Sequence, residues 1–100
     1  MISLDLDRDV FLEALERDVQ MIITHHPIIF KPLGRITRQS YKERLIYDII
    51  KEDIVVYNAH TNLDRANNGV NDELAKLLGL RDPQTLEMGE DEDYGYGRVG

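Results

Sequence analysis

The stretch Met21-Ile22-Ile23-Thr24-His25-His26-Pro27 (MIITHHP) decides how the rest of the chain is read. The run from Val19 to Thr24 is short, apolar and rich in β-branched residues, the mark of a strand buried on both faces. Pro27 has no amide hydrogen with which to continue a ladder, and it drives His26 toward extended geometry. Two imidazoles therefore stand just past the carboxyl end of a strand. A purification tag is a terminal run of histidine, whereas this pair is internal and belongs to the fold.

Upstream, Ile2 to Leu6 alternates apolar and polar residues and reads as a strand. Asp7 then caps a helix running to about Arg17, with Asp9 near the positive end of its dipole and Phe11, Ala14 and Leu15 on one face. Downstream, Ile28 to Gly34 is an apolar, irregular connection expected to pack near the histidines. Ser40-Tyr41-Lys42-Glu43 is a capping-box sequence, and Leu45, Ile46, Ile49 and Ile50 follow it as a helical stripe. Ile54 to Asn58 is a second β-branched run, and it too stops at a polar cluster, His60-Thr61-Asn62-Leu63-Asp64. Asn68-Gly69 supplies a turn before a helix carrying Val70, Leu74, Leu77 and Leu78, with Asp72 and Glu73 in its first turn and Gly79 as its cap. Strand and helix alternate three times, so the expected fold is α/β with a mainly parallel sheet. The expected division is an α/β domain over residues 1–86, partial in extent. An acidic and glycine-spaced segment over residues 87–100 has no core pattern and leads into a continuation beyond Gly100.

Composition narrows the function. With 42% hydrophobic and 31% charged residues the chain is an ordinary globular domain, and no apolar run approaches the roughly 20 residues that a bilayer requires. Without such a run a membrane reading drops out, and a net charge of -7 with no Lys/Arg cluster argues against nucleic acid as a partner. The absence of cysteine excludes disulfides, thiolate metal sites and thiol catalysis; with no signal-like amino terminus, the expected location is the cytoplasm.

Two strands joined through a helix should be parallel, and parallel strands share a carboxyl edge, where α/β sheets place their ligands. His25-His26 and His60 to Asp64 both lie past such an edge. Each cluster alone has a bland reading: half-buried structural histidines for the first, turn chemistry for Asn62-Leu63-Asp64. Together they form a candidate site. Adjacent side chains alternate in a strand, but outside the ladder the two imidazoles can diverge around one crevice and serve two neighbouring metal ions. Imidazole and carboxylate are common ligands of such ions, and Asp64 could bridge a pair. His60 and Asn62 suit groups that orient a ligand or face a substrate.

The motifs IITHHPIIF (Ile22 to Phe30), HTNLD (His60 to Asp64) and GVNDELAKLLGL (Gly69 to Leu80) occur in this order, and Gly97-Arg98-Val99-Gly100 follows. In this the chain resembles the NIF-three-like dinuclear-metal proteins, also known as GTP cyclohydrolase I type 2 homologues, as an interior slice of their pattern. The resemblance implies metal ligation by His25, His26 and Asp64, with two divalent ions (Zn, Mn or Fe) per complete site. It also implies that a further His and Glu are supplied from beyond Gly100. It implies a metal-dependent hydrolase acting on a small, nucleotide-like substrate, and a homo-oligomer of hexameric form. No phosphate-cradling loop in these residues independently supports GTP. The competing reading is a non-catalytic metal-binding or regulatory protein-interaction module.

Overall fold

A computed structural model describes residues 1–89 and 94–100. The chain divides into two compact units, Met1–Ala59 and His60–Gly100.

The first unit is a three-stranded parallel sheet in the order β1 (Ile2–Ser3), β2 (Met21–Thr24), β3 (Val55–Asn58). Ile2 pairs with Ile23, and β3 runs beside β2 from Met21↔Val55 to Thr24↔Asn58. Helices α1 (Arg8–Glu16) and α2 (Tyr41–Lys51) make the two crossovers. Both starts were legible: the Asp7 carboxylate accepts from the Val10 amide at 2.9 Å, and the Ser40 hydroxyl from Glu43 at 3.2 Å. The capping box is only half made, because the Glu43 carboxylate turns away to the Thr37 amide and hydroxyl. Both ends share one device. Asp18 and Asp53 sit at φ of 52° and 54°, and Val19 and Ile54 bond back to the carbonyls of Ala14 and Ile49.

Phe11 and Ala14 from α1, and Leu45 and Ile49 from α2, gather with Leu6 and Ile54 around Ile22 at the centre of the sheet. Arg8 ties the helices together, its amide donating to the Tyr41 hydroxyl at 2.8 Å and its guanidinium to Asp48 at 2.6 Å. The expectation of a strand buried on both faces needs correcting. Ile22 and Thr24 are buried, but Met21 is 46% exposed, and Val55, which pairs with it, and Tyr57, which pairs with Ile23, are similarly open. A sheet that steps steadily from β1 to β3 with crossovers of one hand puts both helices on one side. Ile50 and Ile29 are likewise on the surface, so the apolar stripe of α2 and the apolar connection after Pro27 are buried only in part.

The second unit holds a short helix α3 (Thr61–Arg65), helix α4 (Val70–Leu78) and an antiparallel pair, β4 (Gln84–Met88) with β5 (Gly95–Val99). Asn68 at φ 58° and Gly79 at φ 73° bracket α4 as the turn residues promised. Gly69 is required: a β-carbon there would lie 1.9 Å from the Leu63 carbonyl oxygen. The polar cluster His60 to Asp64 is the N-cap and first residues of α3, and the glycine-spaced carboxyl segment, expected to carry no core pattern, is a strand. A boundary at residues 86 and 87 falls inside β4, and the acidic run from Glu87 to Asp93 lies partly outside the described residues. Val70, Leu74, Leu77 and Leu78 do share a helix, yet Leu77 and Leu78 are exposed and Ala75 is the buried residue of α4. What docks α4 on β5 is polar: Arg98, 5% exposed, donates to Asp72, and its terminal nitrogen donates to the carbonyls of Gly95 and Gly97.

Candidate metal centre

The histidine pair stands where the sequence puts it, immediately past Thr24 at the carboxyl end of the central strand. Backbone pairing continues one step beyond β1, with the His26 amide donating to Leu4 at 2.9 Å, and the Ala59 amide donates to Thr24 at 2.8 Å. Thr24, 1% exposed, locks the turn: its hydroxyl donates to the His26 carbonyl at 3.0 Å and accepts from the Asn58 side chain. The two rings are 5.1 Å apart and tilted by 52°, so they lie near one another as a bent path allows, where a regular strand would send them to opposite faces.

Each ring is oriented through its Nδ1. His25 Nδ1 lies 2.8 Å from the carbonyl oxygen of Ala59, and His26 Nδ1 lies 2.9 Å from Oδ1 of Asp5. A carbonyl oxygen accepts and never donates, so Nδ1 of His25 carries the proton and the lone pair of the neutral ring is on Nε2. Opposite an ionised Asp5 the same tautomer follows for His26. This is the arrangement that metal-binding imidazoles adopt, in which one nitrogen is held by a carbonyl or carboxylate and the other is presented to the ion. The residues fit a divalent cation on donor chemistry. Among the described residues, no three His, Asp or Glu side chains are gathered as a metal-holding group.

Asp5 was read only as the polar member of an alternating strand, and no local signal marks it; β1 pairing against β2 is what brings it to His26. A cavity of about 250 Å³ adjoins this pair, lined by Asp5 and His26 together with Tyr41 and Lys42 at the start of α2. In the second unit His60 is the N-cap of α3, its carbonyl accepting from the Leu63 and Asp64 amides. Asp64 is placed by α4, because the Asn71 side chain donates to its carbonyl at 2.9 Å. Asn62 opens onto a cavity of about 330 Å³ shared with Arg65, Ala66 and Tyr94.

A parallel α/β sheet whose middle strand ends in two oriented imidazoles places the chain in the α/β class, whose ligand sites generally lie at the carboxyl ends of the strands. The family model for Duf34/NIF3 (NGG1p interacting factor 3) matches residues 1–100, and the chain belongs to that family. It is 38% identical over its whole length to the GTP cyclohydrolase 1 type 2 homolog of Lactococcus lactis, covering 37% of that protein. Over 86 residues it is 48% identical to the homolog of the same name in Bacillus subtilis, covering 23% of it. A solved structure, the Bacillus cereus protein related to NIF3, superposes with a TM-score of 0.82 at 43% identity, over 88% of this chain and 24% of that one. The chain thus spans between 23% and 37% of the length of these relatives. Among the described residues no helix is long and apolar enough to cross a membrane.

Proposed function

We propose that this chain supplies His25, His26 and Asp64 as ligands of a two-ion divalent metal site in a hydrolase acting on a small, nucleotide-like substrate. The observation that carries the reading is the pair of Nδ1 hydrogen bonds, which fix both imidazoles with Nε2 as the basic nitrogen. Divalent ions, when bound, supply Lewis-acid activation of water and polarisation of a substrate oxygen. The chain's own contribution is orientation: Ala59 and Asp5 hold the rings, and Thr24 with Asn58 holds the turn that carries them. Asp64 joins the set through the family resemblance and its place on the segment following β3, as does the substrate-facing role of His60 and Asn62. Zn, Mn and Fe all suit imidazole and carboxylate donors.

Metal content per chain, measured by mass spectrometry in the wild type, His25→Ala/His26→Ala and Asp64→Ala, tests the ligand set. Loss in each variant is expected, and unchanged metal in the histidine double variant contradicts the assignment. A screen of phosphoesters, nucleotides and GTP with added metals then separates a hydrolase from a metal-binding or regulatory module, which binds the ions without turnover. A homo-oligomer completes the proposal, supported by surface Leu77 and Leu78, apolar side chains more than three quarters exposed.

A further inference from the structure

Arg65, one residue beyond the proposed ligand Asp64, is held in a way that ordinary surface arginines are not. Its guanidinium carbon lies 4.5 Å from the centre of the Tyr94 ring and 4.9 Å from that of Tyr96. The Tyr94 ring is itself seated against Gly89, where a β-carbon would come within 2.3 Å of it. Nε of Arg65 is buried and has no hydrogen-bond partner among the described residues. Aromatic faces rather than acceptors on Nε therefore fix the stem. Stacking on rings leaves the positive charge intact and uses the face of the guanidinium, so the terminal N–H groups are held in a fixed plane from which they can donate to a ligand. Arg65 and Asn62 are three residues apart, on one side of α3, and both line the 330 Å³ cavity walled by Tyr94. A pre-oriented fork, a neutral amide and an aromatic wall around one cavity make a site for an oxyanion carried on a small organic molecule.

We propose that this cavity is an anion-positioning subsite, in which the terminal nitrogens of Arg65 take a phosphate or carboxylate group of the substrate. It rests on the hydrolase reading for its purpose, but not for its geometry. Arg65 is a positioning residue.

The test begins with the unsubstituted protein. The Nε–H of Arg65, shielded from water, exchanges slowly enough to be observed by proton–nitrogen NMR, and its resonance is assigned by its loss in Arg65→Lys. Inorganic phosphate and acetate are titrated separately without metal, against chloride at matched ionic strength. A saturable shift with either ion supports the subsite, and a response to phosphate alone narrows it to phosphoryl groups. No saturable shift with either, or the same shift with chloride, overturns it. Phenyl phosphate binding should weaken about tenfold or more in Arg65→Met, with partial recovery in Arg65→Lys and unchanged metal content. Equal affinity in all three proteins overturns the proposal, and if Arg65→Met does not fold the wild-type titration still decides it. Absent metal binding at His25 and His26 defeats the hydrolase reading alone, whereas a silent Arg65 beside normal metal binding defeats only the subsite.

Discussion

At the scale of single residues, the site depends on neighbours that do not look functional. Thr24 is a buried hydroxyl satisfied on both sides, and Thr24→Val keeps its shape while stranding the Asn58 amide. The expected cost is about 1–3 kcal/mol in urea unfolding, from the buried group left unpaired. A stability unchanged within 0.5 kcal/mol, on the scale of an ordinary surface substitution, would count against the locked turn. Asp5→Ala removes the acceptor that orients His26 and should weaken metal affinity by about 10–100-fold in calorimetric titration, the usual effect of losing a partner behind a ligand. The histidines were legible because a proline and a β-branched run frame them. Asp5 and Asn58 were not, because their roles come from register: only the pairing of Ser3 with Thr24 and of Thr24 with Asn58 brings them to the turn. Nothing local in a sequence states which strands will be neighbours.

At the scale of elements, capping chemistry was readable and packing was not. Asp7, Ser40 and Gly79 mark helix ends by their own side chains or lack of one, and each acts where expected. Asp18 and Asp53 take left-handed backbone angles at positions where glycine is the usual choice, so their turns gave no glycine to read. Asp53→Val should cost about 1–2 kcal/mol, since a β-branched residue tolerates that geometry least, while Asp53→Gly should be neutral or stabilising; thermal unfolding of the two variants checks both signs. The β4–β5 pair was missed because glycine and acidic residues hide its alternation, and its docking on α4 depends on an ion pair rather than an apolar stripe. The Arg98 guanidinium, by hydrogen bonding, holds the Asp72 carboxyl below its usual range against the opposing effect of burial. A depressed folded value means stability that is full above the ordinary aspartate range and is lost as pH falls through the lower folded value. Asp72→Asn should therefore cost about 1.5–3 kcal/mol at neutral pH, with the gap to wild type closing in acid. A gap that widens on acidification would contradict this assignment of the charge.

At the scale of the whole molecule, the alternation of strand and helix predicted the parallel α/β unit, and the motif order predicted the family. The division into compact units Met1–Ala59 and His60–Gly100 leaves no Pro/Gly-rich linker or charge run in the sequence by which to read it. Exposed Leu77 and Leu78 bear on association: Leu77→Glu/Leu78→Glu should lower binding of an apolar dye and reduce self-association in sedimentation, and an unchanged profile would place any interface elsewhere. The central claim is that His25 and His26 present Nε2 to divalent metal. Long-range proton–nitrogen NMR of the imidazoles during zinc titration tests it most directly. The account predicts that both rings are protonated on Nδ1 before zinc, and that both Nε2 resonances move on binding while the Nδ1 protons persist. Nε2 resonances that stay in place at saturating zinc, or rings that bind through Nδ1, would contradict it.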